Sequence, residues 1–183
     1  KPTFYLLRRT TVLVCSTKSL PRMQELRSKR QLEKHKIPFS DAFRGQGILQ
    51  KTLFVSHRWE ATGAPDTEGA QLAAIQSHLK EHLEIEYVWY DYACLPQSDE
   101  TSDGLDGRSG VEMEECRLMT IAMVDLFMTA NKVLILLDNS YGSRFWCQLE
   151  AWCAMQTTSA KGVRTATDAE KRHTILCIHN AQD

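Results

Sequence analysis

The chain alternates short, continuously apolar runs with amphipathic stretches. Thr52-Leu53-Phe54-Val55-Ser56, Tyr87-Val88-Trp89-Tyr90-Asp91-Tyr92, Lys132-Val133-Leu134-Ile135-Leu136-Leu137 and Thr174-Ile175-Leu176-Cys177-Ile178 each have the length and content of one buried strand. Between the first two, Leu72, Ile75, Leu79 and Leu83 recur at helical spacing and predict a helix over 67–84. Residues 111–130 predict a long helix, apolar almost all round from 118 to 128. After the third run, "SRFWCQLEAW" predicts a helix starting near Ser143, with Phe145, Leu149 and Trp152 as the stripe that anchors it. This strand–helix alternation predicts an α/β fold whose central parallel sheet is covered by helices on both faces.

Ahead of the regular region the pattern weakens. Thr11-Val12-Leu13-Val14-Cys15 reads as a short strand, and Leu20, Met23 and Leu26 predict a helix from Pro21 to about His35. Pro38, Gly45 and Gly47 mark a linker. The chain therefore divides into an N-terminal extension over 1–50 and an α/β domain over 51–183. Two polar stretches, 98–110 and 157–172, read as loops, the first of them acidic and mobile.

Parallel sheets bind ligands outside the carboxyl ends of their strands. That rule selects Ser56-His57-Arg58-Trp59, the residues from Asp91 to Gln97, and those from Asp138 to Glu150, so the candidate patches converge on one edge. Within them, Trp146 and Glu150 stand four residues apart on one helix face. A carboxylate beside aromatics is partly desolvated, which raises its pKa and sharpens its field on a developing cation. The competing reading is a solvated or arginine-paired glutamate. Arg58 and Arg144 suit a phosphate-bearing ligand or a surface ion pair. His57 has no fixed partner as an acid or base, and its pairing with Cys94 or Cys147 lacks a third orienting group.

Composition removes several classes. Lys and Arg number 22 against 23 Asp and Glu, so no global positive field exists to recruit nucleic acid. The basic residues between 22 and 36 then read as a solvated helix face. Six cysteines without regular spacing, most of them in apolar runs, point to reduced thiols in an intracellular, cytoplasmic protein. No run of about 18 apolar residues predicts a transmembrane segment. The chain begins at Lys1 rather than Met, which reads as a piece of a longer protein. Cys177-x-His179 lacks a second ligand pair, and neither a GxGxxG, a Walker loop nor an HExxH motif occurs, so no metal or resident cofactor is expected.

The blocks "LFVSHRW", "GAQLAAIQSHL", "VWYDY", "KVLILL" and "SRFWCQLE" resemble, in order, those of Toll/interleukin-1 receptor (TIR) domains, especially the NAD-cleaving branch. "VWYDYACLPQ" is similar to fungal heterokaryon-incompatibility domains. The resemblance covers about residues 52–180. It implies a flavodoxin-like fold and cleavage of the nicotinamide–ribose bond of NAD, which is substrate rather than cofactor. It implies Glu150 as the catalytic residue and Trp146 as its helix partner. Ser56, Arg58, Trp59, Asp91 and Ser143 are implied as substrate contacts. Nicotinamide leaves a pyridinium as a neutral molecule, so the usual second carboxyl that protonates a leaving group is not needed. The resemblance implies self-association or contact with other TIR-like domains. Its alternative is a non-catalytic interaction module or a structural subunit of a larger assembly.

Overall fold

The first three continuous apolar runs become the middle of one sheet, and the fourth becomes its largely exposed edge. The computed structural model describes residues 3–98, 106–159 and 161–181. In chain order the first elements are β1 (Thr3–Arg8), α1 (Arg9–Leu13), α2 (Met23–Ser28), β2 (Leu32–Lys36) and α3 (Phe39–Ala42). Then come β3 (Thr52–Ser56), α4 (Ala70–Glu81), β4 (Tyr87–Trp89), α5 (Asp91–Cys94), α6 (Gly110–Ile121) and α7 (Met123–Thr129). The last are β5 (Lys132–Leu137), α8 (Phe145–Ala154), the hairpin strands β6 (Gln156–Ser159) and β7 (Gly162–Thr165), and β8 (His173–Cys177).

The main sheet has six strands in the order β2-β1-β4-β3-β5-β8. The four from β4 to β8 are parallel, with Phe54 beside Trp89, Ser56 beside Ile135 and Leu137 beside Cys177. Their chain order across the sheet is second, first, third, fourth, so the winding reverses direction between β3 and β5. Right-handed crossovers put α4 on one face and α7 and α8 on the other, and α7 packs against α8 accordingly. Phe54, Trp89 and Phe127 form the aromatic centre, with ring centroids 5.6–5.8 Å apart.

The N-terminal residues differ from expectation. The strand predicted at 11–15 is not formed. Residues 9–13 are the short helix α1, Val14 is 77% exposed, and the strand lies just ahead, at Thr3–Arg8. Phe4, Leu6 and Leu7 there are fully buried, a two-sided burial that the 11–15 run does not offer. The helix expected to reach His35 stops at Ser28. Arg30 adopts a left-handed conformation (φ 56°) that turns the chain into β2, antiparallel to β1. Both strands extend the sheet beyond β4, through the pairing of Leu7 with Val88. The supposed linker contains α3 and a 3-10 turn over Ile48–Lys51.

Elsewhere the boundaries move. Helix α4 ends at Glu81, with Leu83 74% exposed. It is preceded by Gly69, whose backbone is left-handed (φ 83°) and where a Cβ would stand 2.8 Å from the Lys18 carbonyl. The single helix predicted over 111–130 is two, broken at Ala122. Helix α6 begins with a capping box, Ser109 with Glu112, and buries Met119 alone, whereas α7 buries five consecutive-turn residues against the sheet. Polar contacts anchor α6 instead. Glu115 accepts from Tyr5 Oη (2.9 Å) and Arg27 Nη2 (2.6 Å) and lies 3.4 Å from Lys34 Nζ. Residues 99–105 of the acidic loop lie outside the described residues, and the loop expected at 157–172 contains the β6–β7 hairpin.

The carboxyl ends of α7 and α8 share one cation. Arg172, just ahead of β8, donates to the carbonyls of Phe127 and Ala130 at the end of α7. It also donates to those of Cys153 (2.9 Å) in the last turn of α8 and Gln156 (3.0 Å) at the start of β6. Orphan carbonyls at helix ends need such donors, and a cation there also opposes the helix dipole. Burial lowers the Arg172 pKa from its ordinary value.

Candidate active site

Helix α8 presents an unexpected face to the sheet. Cys147, Glu150, Cys153 and Ala154 are buried, while Phe145 is 68% exposed and Trp152 51%. Phe145 and Trp152 therefore do not anchor the helix or enclose Glu150. The Cys-x-x-Glu-x-x-Cys spacing at three-residue steps supplies the inward stripe. Trp146, at 46% exposure, is the aromatic that shares a cleft with Glu150.

The Glu150 carboxyl reaches the carboxyl end of β3. Ser56 Oγ lies 2.5 Å from Glu150 Oε2 and 2.5 Å from the hydroxyl of Tyr141, which sits in the 3-10 turn Tyr141–Ser143 after β5. Tyr141 in turn donates to the Cys147 carbonyl (2.9 Å). Burial raises the Glu150 pKa well above its ordinary value. The Ser56 hydroxyl opposes this and Asp91 adds to it. Burial also raises Tyr141 and pushes the Cys147 thiol up to about 12. That thiol donates to the His57 backbone carbonyl (3.3 Å), so no cysteine–imidazole nucleophile pair exists there.

Above the carboxyl is a cleft of about 320 Å³, lined among others by Trp59, Asp91, Met123, Arg144, Trp146 and Glu150. Asp91 is fixed by the Trp59 indole (2.9 Å) and its neighbour's amide, that of Tyr92. His57 stacks on Tyr90 at 4.0 Å. Its Nε2 is 3.2 Å from Asp91 Oδ1 but is not aligned for a hydrogen bond. Arg144 immediately precedes α8 and makes no ion pair among the described residues. A second depression of about 540 Å³ shares Trp59, Asp91 and Leu95 with the first and extends to Arg22 and Arg108. The two meet at those three residues to form a groove; Glu150 and Arg144 line only the first part, and Arg22 and Arg108, the latter paired with Asp106, only the second.

Of the residues selected from the sequence, Glu150, Trp146, Trp59 and Asp91 line the cleft and Ser56 lies beneath it. Arg58 and Ser143 do not join them. Both Nε (2.8 Å) and Nη2 (2.6 Å) of Arg58 bind Asp138 Oδ2, and this raises the arginine's pKa. Arg58 lines a separate depression with Glu60, Asp138 and His179. Ser143 Oγ donates to the Ser140 carbonyl (2.6 Å) and closes a turn.

Two organising residues were not among those selected from the sequence. Tyr141 is one. The other is Gln71, which donates to the carbonyls of Arg58 (2.9 Å) and Pro65 (2.6 Å), accepts from Tyr90 (2.9 Å), and so holds the loop after β3. Asp66, five residues earlier, caps the Gln71 and Leu72 amides at the start of α4. Among the described residues no cluster of metal-binding side chains occurs, and no helix is long and apolar enough to cross a membrane. Comparison with family models, with curated proteins and with solved structures returns no match for this chain.

Proposed function

We propose that the chain is a TIR-like NAD glycohydrolase that cleaves the nicotinamide–ribose bond with Glu150 and is activated by self-association. The observation that carries this reading is the buried Glu150 carboxyl at the floor of a cleft walled by Trp146 and Trp59, where the sheet's winding reverses. Doubly wound sheets of strand order second-first-third-fourth, the flavodoxin-like arrangement, bind nucleotides at that reversal. In the proposed reaction, Trp146 and Trp59 bound the ring and ribose. The ionised carboxylate stabilises positive charge growing on the ribose as nicotinamide departs neutral. Arg144 at the cleft suits the pyrophosphate.

Incubating the purified protein with NAD is the test. Nicotinamide and ADP-ribose should accumulate, and Glu150→Gln should abolish both while the fold is retained. Absence of turnover at high protein concentration or under crowding would overturn the reading.

A specific observation favours the second reading, a non-catalytic interaction module. Leu118, Ile121 and Val124 on α6 and α7 are 39–65% exposed, as are Phe145 and Trp152 on α8 at still higher or similar values. That reading expects self-association that Ile121→Glu weakens, with no nicotinamide released under any condition.

A further inference from the structure

The contacts around Glu150 do not balance in protons unless the carboxyl carries one. Three oxygen pairs lie in a row. These are Glu150 with Ser56 (2.5 Å), Ser56 with Tyr141 (2.5 Å), and Tyr141 with the Cys147 carbonyl (2.9 Å). The two hydroxyls hold one proton each, and the peptide carbonyl only accepts. With Glu150 ionised, two protons must serve three contacts. Either the Ser56–Tyr141 pair then opposes lone pairs, or Tyr141 abandons the carbonyl. With Glu150 protonated, the acid donates to Ser56, Ser56 to Tyr141 and Tyr141 to the carbonyl, and every contact is made.

The surroundings favour the same state. Among the described residues no lysine or arginine forms an ion pair with Glu150. The titratable groups facing it are His57 just after β3, Asp91 from α5, Tyr141 from the turn after β5, and Cys147 and Cys153 on its own helix, with Arg144 also lining the cleft. Asp91 opposes a second negative charge, while the thiols and the phenol stay neutral.

We infer that resting Glu150 is a neutral acid, held by the Ser56–Tyr141 relay, and that a cationic ring entering the cleft drives its proton out to solvent. The balance is simple. One carboxylic acid and one pyridinium become one carboxylate–pyridinium pair, and one proton passes to buffer. The pairing of opposite charges supplies the stabilisation that ionisation lacks in the empty cleft. Ser56 and Tyr141 are positioning residues here, since they set the charge state of Glu150 and touch no substrate. The ionisation step rests on the proposed NAD reading; the neutral resting acid does not.

Infrared difference spectra of wild type against Glu150→Gln at neutral pH test the resting state directly. A carbonyl stretch of a protonated carboxylic acid, shifted by carbon-13 glutamate, is expected. Carboxylate bands alone would overturn the inference. Tyr141→Phe removes more hydrogen bonds from the neutral form than from the ionised one. It should therefore move the disappearance of that band to lower pH, by up to about one unit or tenfold in proton affinity. An unchanged or higher midpoint would refute the relay.

Calorimetry with 1-methylnicotinamide, an inert pyridinium, in buffers of different ionisation enthalpy should show about one proton released per cation bound. Neutral nicotinamide should release none. No binding of the cation, or binding without release, would refute the coupling. An acid band with no NAD turnover would sink the proposed reaction while leaving the neutral resting acid established.

Discussion

Replacing Arg172 with methionine removes one cation from the ends of two helices while keeping a side chain of similar length. Four carbonyls lose their donor, those of Phe127, Ala130, Cys153 and Gln156. Hydrogen bonds to charged groups contribute roughly 1.5–3 kcal/mol each. The full sum is not lost, because water reaches part of a half-buried site and the charge no longer needs desolvating. The expected destabilisation is about 2–4 kcal/mol, in the range seen when a buried polar network is broken. For a chain of this size each kcal/mol moves the melting temperature by roughly 2–4 °C, so a fall of about 5–15 °C is expected. Arg172→Lys keeps the charge but not the forked geometry and should lie between. Urea unfolding and calorimetric melting measure both variants. If Arg172→Met stays within about 0.5 kcal/mol of the parent, the range of ordinary surface substitutions, the idea that this residue ties α7 to α8 is wrong.

Other perturbations test other parts of the fold. The folded pKa of Glu150 is raised, so its contribution to stability is complete below the unfolded value of about 4.3 and is lost as pH rises through the folded value. Glu150→Gln should remove that loss and be more stable than wild type at pH 9 but not at pH 4, and parallel stability curves would contradict this. Gly69→Ala forces a Cβ against the Lys18 carbonyl in a left-handed backbone and should cost about 1–3 kcal/mol in chemical unfolding. A value near zero would show that the loop shifts freely. Glu115→Ala removes the anchor of α6 to Tyr5, Arg27 and Lys34, and should speed amide exchange over 110–121 by roughly fivefold to thirtyfold relative to α7. Equal rates in the two proteins would show that Met119 alone holds the helix.

The sheet's parallel strands were legible because a strand buried on both faces has only one kind of sequence, and β3 and β5 have it. The antiparallel pair was not. In β2, "LEKHK" is an exposed edge whose charges follow solvent rather than a core, so no apolar period marks it. The position of Glu150 near the carboxyl ends of the parallel strands followed from strand ends and helix spacing. Its immediate partners did not, since Tyr141 meets Ser56 across 85 residues of chain and no local pattern records the meeting. Arg58 and Arg144 look alike in the sequence. Only the facing Asp138 carboxylate decides that the first is engaged and that the second stays at the cleft. The aromatics of α8 misled for a related reason. Large apolar residues are usually inside, but here two cysteines and a glutamate occupy the inward stripe.

The first fifty residues make this protein hard to trim or to splice. Strand β1 hydrogen-bonds along β4, its Phe4, Leu6 and Leu7 are fully buried, and Tyr5 and Arg27 grip the helix that borders the groove. A cut at residue 50 would bare the flank of a central strand to other chains and release one bank of the groove at the same stroke. Transplanting residues 51–183 onto a foreign leader would meet the same obstacle. The segment is masonry shared by two rooms, and an exchange of parts between relatives would have to carry both together.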